Sequence, residues 1–157
     1  MKNNIEEVIN LLKESNLTLG SCESLTGGLF SSTVTSYSGV SKFYKGCICS
    51  YSTLVKHDLL KIDQDLIDFK GVVSKEIAYE MAKQASKLLD TDITISFTGN
   101  AGPTAMEGKE VGLVYIGLKI KDEIMTFEYH FDGNRNSIRE QVVEEGFNLI
   151  KKYLGNN

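Results

Sequence analysis

Long apolar runs are missing from this sequence. None approaches the roughly 20 residues that a membrane helix needs. The opening stretch MKNNIEEVINLLKES carries acidic side chains where a signal peptide would have its apolar segment. The chain has one proline, Pro103, and no internal repeat, linker or low-complexity segment. We therefore expect a cytoplasmic protein that makes no contact with a membrane.

Blocks of basic residues are also missing. Lysine and arginine are dispersed, and the formal net charge is -4. Because nucleic acid binding needs a broad basic surface, no nucleic acid partner is expected, although a local phosphate site stays open. The apolar fraction of 41% and the charged fraction of 24% are typical of a globular protein. At 157 residues, the chain is predicted to form a single domain over 1–157.

Cysteines and histidines are few. The three cysteines are an odd number in a chain without export signals, which favours reduced thiols over a disulfide framework. Cys47 and Cys49 alternate in a predicted strand and should point to the same face. A Cys-x-Cys pair can bind metal, but His57 and His130 lack the spacing of a site and no second pair completes four ligands. No metal is predicted.

Hydrophobic periodicity predicts helices and strands in alternation. Ser74 is placed as the N-cap of a long helix, which is a structural role. The last two strands are predicted to form an antiparallel hairpin. The fold class is therefore α/β, a three-layer α/β/α arrangement with a mixed central sheet. The predicted helices cover the first fifteen residues, 29–37, 52–60 (after a turn), 75–89 and a segment from about Asn134; the predicted strands are 17–22, 43–51, 92–97, 111–120 and 124–131.

Three polar, glycine-bearing loops follow predicted strands, at 24–28, 51–56 and 98–103. Sheets of this kind collect ligands beyond their strand ends, so we expect the loops to converge. Small residues in the first loop allow a substrate to approach backbone N–H groups at the start of a helix. The residues alone leave two interpretations of Ser24 open: part of a site, or the cap of that helix beside an ordinary glycine turn.

Six motifs occur in the order found in the CinA C-terminal family, and the chain resembles that family from about Leu17 to Arg139. Standalone members resemble nicotinamide-nucleotide amidases, which hydrolyse nicotinamide mononucleotide to nicotinic acid mononucleotide and ammonia, whereas larger CinA proteins carry an additional N-terminal domain. The resemblance implies an amidohydrolase without a cofactor, a small-molecule pyridine nucleotide substrate and a homo-oligomer. The motifs are S-C-E-S-L-T-G-G, Y-S-T-L-V-K, G-V-V-S, S-F-T-G-N-A-G-P, E-V-G-L-V and G-N-R-N-S-I-R.

The resemblance also implies roles for individual residues. It places Ser24 at the nucleophile position, Lys56 at that of its basic partner and Thr98 at another catalytic hydroxyl position. A serine needs a neighbouring base to attack an amide, and no histidine lies in these motifs, so a neutral lysine serves. Lowering a lysine pKa from about 10.4 to about 7.5 means disfavouring the cation by roughly 4 kcal/mol. The implied substrate-binding residues are Glu23, Thr26, Gly27, Gly28, Tyr51, Gly99, Gly102, Arg135 and Arg139.

Several of these residues have a plainer interpretation. Glu23 either orients Lys56 or a ribose hydroxyl, or is a surface carboxylate beside a turn. Arg135 and Arg139, at positions i and i+4, share a helical face; they hold the 5'-phosphate through a guanidinium fork, or belong to a solvated helix. Tyr51 contacts substrate or packs at a strand end.

The sequence departs from the family pattern at three positions. Leu25 stands where many relatives have cysteine, Thr53 where asparagine is usual and Asn100 where an aliphatic residue is common. These changes bear on substrate preference more than on the identity of the nucleophile. Two other classes of function stay open: a non-catalytic nucleotide-binding module in which Ser24 is only a cap, and an interaction domain serving DNA uptake or damage responses.

Overall fold

A computed structural model of the chain describes residues 2–156. The periodicities in the sequence produce helices and strands in alternation, ending in a strand pair and a long helix. The helices are α1 (Lys2–Ser15), α2 (Leu29–Thr35), α3 (Thr53–Asp58), α4 (Gln64–Lys70), α5 (Lys75–Leu89) and α6 (Arg135–Leu154), and the strands are β1 (Leu19–Glu23), β2 (Tyr44–Cys49), β3 (Ile93–Gly99), β4 (Leu113–Ile120) and β5 (Glu123–His130).

The strands form one mixed sheet in the order β2-β1-β3-β4-β5. β1 pairs in parallel with β2 and β3, while β4 pairs antiparallel with β3 and with β5. The predicted antiparallel hairpin is therefore confirmed. Its turn contains Lys121 in a left-handed conformation, with φ 55°.

Helices cover both faces of the sheet, so the predicted three-layer α/β/α fold is confirmed. On one face α1, α2 and α6 enclose a core in which Phe30 packs against Phe97 and Phe147, with ring centroids 5.4 and 4.6 Å apart. On the other face α4 and α5 enclose a smaller core that includes Ile77 and Met81. Apolar burial on both faces is what makes β1 and β3 fully buried.

Close packing of α5 on the sheet depends on one glycine. A Cβ at Gly117 of β4 would lie 2.5 Å from the carbonyl oxygen of Ala78 in α5, so no larger residue fits there. The same carbonyl accepts a hydrogen bond from Ser96 Oγ at 2.6 Å. At the start of α5, Ser74 Oγ accepts from the backbone N–H of Ile77 at 3.3 Å, which confirms its predicted capping role.

Two details differ from the sequence-based prediction. The short helix α4 was not predicted; Asp63 caps it, and its weak amphipathic pattern includes Phe69, which is 84% exposed. Strand β3 continues through Gly99, so Thr98 and Gly99 belong to the strand and not to the following loop. The sheet pairing to β4 extends that far because a Cβ-free Gly99 lets the Leu113 carbonyl come close.

The cysteines are free thiols in the described part of the chain. Cys47 lies opposite Ser21 of β1 and Cys49 opposite Glu23, so the two alternate positions share a face, as predicted. Among residues 2–156, no helix has the length and apolar content needed to cross a bilayer.

Candidate active site

A cavity of about 380 Å³ lies beyond the ends of β1 and β3. All three loops that the sequence singled out contribute to its wall, as does the start of α6. A larger open groove between α1 and α6 holds a Glu7–Lys151 ion pair and no nucleophile with a base beside it. The cavity is lined by Ser24, Leu25, Tyr51, Ser52, Thr53, Val72, Val73, Thr98, Gly99, Asn100, Ala101, Gly102, Thr104, Met106 and Arg135.

Ser24 and Lys56 are in direct contact at this cavity. Lys56 Nζ lies 2.9 Å from Ser24 Oγ and 2.6 Å from the carbonyl oxygen of Ser50. Lys56 is 1% exposed and Ser24 is 9% exposed, so their contact is shielded from bulk water. Ser52 caps the short helix that carries Lys56, accepting from the backbone N–H of Val55 at 3.2 Å. The result is a hydroxyl and an amine held within proton-transfer distance.

Burial lowers the pKa of Lys56 from 10.5 to about 8. No carboxylate lies within ion-pair distance of Lys56 among the described residues, so no ion pair offsets the energy that the ammonium loses on leaving water. Weaker electrostatic effects of Cys22, Cys49 and Glu107 act in the opposite direction. A lysine of this kind is poised to exchange a proton near neutral pH.

The loop that presents Ser24 is shaped by backbone hydrogen bonds and two glycines. Ser24 N–H donates to Phe97 O at 3.0 Å, and its carbonyl accepts from Gly27 N–H at 3.1 Å. Gly27 and Gly28 have φ values of 56° and 98°, which favour glycine. Gly28 is the N-cap of α2 and has no side-chain cap bond. The interpretation of Ser24 as the cap of this helix is therefore wrong.

Glu23 supplies the acceptor that Gly28 cannot. Its carboxylate is fully buried and accepts from the backbone N–H groups of Phe30 and Ser31 at 2.9 and 3.0 Å. Ser21 Oγ and Cys47 Sγ each donate to it at 3.1 Å. The expectation of a surface carboxylate is wrong, and no hydrogen bond joins Glu23 to the Lys56 amine. The unfavourable burial of this charge is offset by four donors, two of them at a helix N-terminus.

Two backbone N–H groups beside Ser24 have no protein acceptor within the described residues. They belong to Leu25 and Thr26, which follow Ser24 in the turn. Leu25 also lines the cavity. Unpaired N–H groups next to a nucleophile are the donors that a tetrahedral oxyanion requires.

Thr98 lies at the end of β3, lines the cavity and is 1% exposed. Its hydroxyl donates to the carbonyl oxygen of Val72 at 2.6 Å and makes no hydrogen bond to Ser24 or Lys56. Its proton is therefore directed at a neighbouring backbone segment in this structure. Thr26 Oγ1 is buried and has no partner among the described residues, and the same holds for Asn100 Oδ1.

The two arginines do different things. Arg139 is half-buried; its Nε donates to Leu25 O at 3.0 Å and its Nη2 to Thr26 O at 2.8 Å. Arg135 is exposed at the cavity mouth, where Nη1 donates to Gly102 O at 2.7 Å and Nη2 to Tyr51 Oη at 3.2 Å. Arg139 thus holds the loop that carries Ser24, while Arg135 joins two loops that face the cavity.

Some cavity residues were assigned no role from the sequence. Val72, Val73 and Met106 are apolar residues of loops, and only the folded chain brings them to the site. Ser50 acts through its carbonyl oxygen, which every residue type possesses. Only the neighbouring Gly71-Val72-Val73-Ser74 sequence, read as a turn before a helix, pointed to an ordered segment here.

Comparison with solved structures supports the fold. A CinA superfamily protein from Klebsiella pneumoniae aligns with a TM-score of 0.96 at 23% identity, covering 99% of this chain and 98% of that one. A CinA superfamily protein from Escherichia coli aligns with a TM-score of 0.88 at 28% identity, covering 98% and 92%. The first of these likenesses shows the fold alone.

Sequence comparison gives the family. Proteins named competence-damage inducible protein are 42% identical in Listeria monocytogenes, over 97% of this chain, and 47% identical in Bacillus mycoides, over 93%. The chain spans 37% and 36% of the length of these relatives. The family model described as the CinA C-terminal domain matches residues 1–154. The resemblance read from the six motifs is confirmed: the chain belongs to the CinA C-terminal domain family.

Proposed function

We propose that this chain is a nicotinamide-nucleotide amidase, which hydrolyses the carboxamide of nicotinamide mononucleotide to the carboxylic acid and ammonia. The observation that carries the proposal is the buried contact of 2.9 Å between Lys56 Nζ and Ser24 Oγ. An amine that has lost much of its proton affinity, next to an otherwise weak hydroxyl nucleophile, is the arrangement that serine-lysine acyl transfer uses.

The chemistry begins with neutral Lys56. With a pKa of about 8, roughly one lysine in ten is neutral at pH 7. Lys56 takes the proton of Ser24, and Oγ attacks the carboxamide carbon. The proton then passes from Lys56 to the nitrogen that leaves as ammonia, and water hydrolyses the ester formed on Ser24. Each proton taken by Lys56 is returned, so the residue ends in its starting state.

Charge develops on the carbonyl oxygen of the substrate during both steps. The N–H groups of Leu25 and Thr26 are the donors next to Ser24 that the fold leaves unpaired, and we assign the oxyanion to them. Arg139 binds the Leu25 carbonyl oxygen, which shares a peptide unit with the Thr26 N–H, and Gly27 N–H binds the Ser24 carbonyl oxygen, which shares one with the Leu25 N–H; these bonds orient the two free N–H groups. One preorganised oxyanion donor contributes about 3 kcal/mol to catalysis in serine hydrolases.

The rest of the nucleotide is bound by groups other than those that react with its carboxamide. A cavity of about 380 Å³ falls in the range of small-ligand sites. Arg135 is exposed at the mouth of the cavity, so we assign the 5'-phosphate to Arg135. The guanidinium of Arg139 is half-buried and hydrogen-bonded to the loop that carries Ser24. Tyr51, exposed by 62% and bonded to Arg135, lies where it can contact the nucleotide.

The test is release of ammonia and of nicotinic acid mononucleotide by the purified protein. Nicotinamide mononucleotide, the dinucleotide and free nicotinamide are compared as substrates. Ser24→Ala and Lys56→Ala should abolish turnover, while Ser74→Ala, a serine at a helix cap, should leave it intact. Full activity in Ser24→Ala would contradict the mechanism. Binding of the mononucleotide without turnover, unchanged in Ser24→Ala, would instead identify a nucleotide-binding module.

A further inference from the structure

Residues 101–112, which lead from Asn100 at the end of β3 to β4, form one wall of the cavity, and we call this segment the strap. Ala101, Gly102, Thr104 and Met106 of the strap line the cavity. Asn100 anchors it from inside: its Nδ2 lies within 3.4 Å of the carbonyl oxygens of Met106, Lys109 and Glu110. The shape of the site thus depends on how the strap is held.

Glu107 lies at the turn of the strap with an unusual backbone. Its φ is 58°, in the left-handed region that side-chain-bearing residues avoid, and it is followed by Gly108 with φ 66°. Such a conformation costs about 1 kcal/mol or more and persists where other contacts hold it. The backbone strain at Glu107 must therefore be offset by favourable contacts of its side chain.

The compensating contacts are made by the carboxylate. Glu107 Oε1 accepts from the backbone N–H of Val72 at 2.8 Å, and Oε2 lies 3.4 Å from the N–H of Val73. Gly71 makes room for this approach, since a Cβ there would lie 2.3 Å from Oε2. Lys109 Nζ completes the junction, donating to Glu107 at 3.1 Å and to the carbonyl oxygen of Val73. The strap is thereby tied to the opposite wall.

This junction reaches the reacting groups through one peptide. It is the Val72–Val73 peptide: its N–H, that of Val73, lies 3.4 Å from Glu107 Oε2, and its carbonyl oxygen, that of Val72, accepts the Thr98 hydroxyl at 2.6 Å. Both Val72 and Thr98 line the cavity with Ser24. The orientation of that peptide, and with it of the Thr98 hydroxyl, is fixed from the strap side by Glu107.

The charge of Glu107 also acts on Lys56. Cys22, Cys49 and Glu107 are the groups that face the Lys56 amine electrostatically, from β1, β2 and the strap. Burial raises the pKa of Cys22 to about 12 and also raises that of Cys49, so both stay neutral thiols at pH 7. Glu107 forms an ion pair with Lys109 at 3.1 Å, and its electrostatic effect raises the pKa of Lys56.

We propose that Glu107 is a positioning residue of the amidase site, whose carboxylate holds the Val72–Val73 peptide, and with it the Thr98 hydroxyl, against the strap. The expected effect of Glu107 on kcat and KM rests on the proposed amidase function. Glu107 touches neither Ser24 nor Lys56, so it acts through other groups.

The kinetic experiment compares Glu107→Gln with a matched control. Glu110→Gln removes another carboxylate from the strap. The Glu110 side chain is 82% exposed and faces His130 instead of residues 70–73. The kcat and KM for nicotinamide mononucleotide are measured as a function of pH. Glu107→Gln should move the acidic limb of kcat/KM to lower pH by about 0.3 to 1 pH unit. The plateau value of kcat/KM should also fall, because an amino group replaces one of the two carboxylate oxygens that accept from the backbone N–H groups of Val72 and Val73. Glu110→Gln should change neither the position of the acidic limb nor the plateau.

A second readout needs no turnover. Titration of the Lys56 Nζ resonance by nitrogen-15 NMR, assigned with Lys56→Arg, should show a lower pKa in Glu107→Gln and an unchanged one in Glu110→Gln. Circular dichroism confirms that the variants are folded. If the parent protein releases no ammonia, the proposed function fails while this titration still tests Glu107. A Glu107→Gln variant with the kcat/KM profile and the Lys56 titration of the parent overturns the proposal.

Discussion

Lys56 Nζ lies 2.9 Å from Ser24 Oγ, at the end of a side chain that is 1% exposed. The fold therefore buries an amine without giving it a carboxylate partner among the described residues. That arrangement disfavours the charged form, and it disfavours folding at any pH where Lys56 is charged in the unfolded chain. Function and stability should thus make opposite demands on this residue.

The first prediction follows from this conflict. A pKa lowered from 10.5 to about 8 corresponds to about 3 kcal/mol against the folded state at pH 7. Lys56→Met removes that penalty but leaves the Ser50 carbonyl without its donor, which costs about 1 kcal/mol. We expect the variant to be inactive and more stable by about 2 kcal/mol in urea unfolding at pH 7.

The pH dependence of this gain provides its control. The folded pKa lies below the unfolded one, so the unfolded chain binds the extra proton between pH 8 and 10.5. The penalty is complete below pH 8 and vanishes as the pH rises through 10.5. The stability difference between Lys56→Met and the parent should shrink over that window; a constant difference would exclude the linkage.

A second prediction concerns the pH dependence of catalysis. In the proposed mechanism neutral Lys56 is the base, so kcat/KM should rise with pH and level off above about pH 8, the pKa that burial imposes. Ser24→Cys provides the comparison, since a thiol with a lower pKa depends less on the lysine. A profile that falls through the same range would assign Lys56 the role of an obligatory cation.

Glu23 yields a third prediction. Its carboxylate receives the N–H groups of Phe30 and Ser31, and hydrogen bonds to charged groups contribute about 1.5 to 3 kcal/mol each. Glu23→Gln keeps one acceptor oxygen and turns an amino group towards the remaining donors. We expect a loss of about 2 to 3 kcal/mol in urea unfolding. Glu140→Gln, an exposed change on α6, should leave stability within about 0.5 kcal/mol.

The general architecture was predictable because it depends on local patterns. Apolar periodicity distinguishes helix from strand, and the capping serine Ser74 stands immediately before its helix. Ser24 and Lys56 were identified by motif, and they meet because their loops follow the adjacent parallel strands β1 and β2. Loops after neighbouring parallel strands lie at the same edge of a sheet.

The functions of other charged residues depended on distances that no local pattern encodes. Glu23 binds amides seven and eight positions further along the chain, which requires the intervening turn to fold back. Glu107 binds amides 34 and 35 positions away. Arg135 and Arg139 are the same residue type one helical turn apart, and only the loop carbonyls near each guanidinium separate their roles.

Those roles give the fourth prediction. If Arg135 holds the 5'-phosphate, Arg135→Gln should raise the KM for nicotinamide mononucleotide about tenfold or more, which corresponds to about 1.4 kcal/mol. Arg135→Gln should change the KM for nicotinamide riboside little, because this substrate has no phosphate. Equal losses on both substrates would exclude a phosphate contact.

Arg139→Gln should behave in the opposite way. It removes donors to the carbonyl oxygens of Leu25 and Thr26, so the loop that carries Ser24 and the unpaired N–H groups loses its orientation. Misplaced groups act on the transition state more than on the bound substrate, so kcat should fall about tenfold or more for both substrates. A phosphate-dependent loss in KM for Arg139→Gln, with an unchanged kcat, would transfer the phosphate site from Arg135 to Arg139.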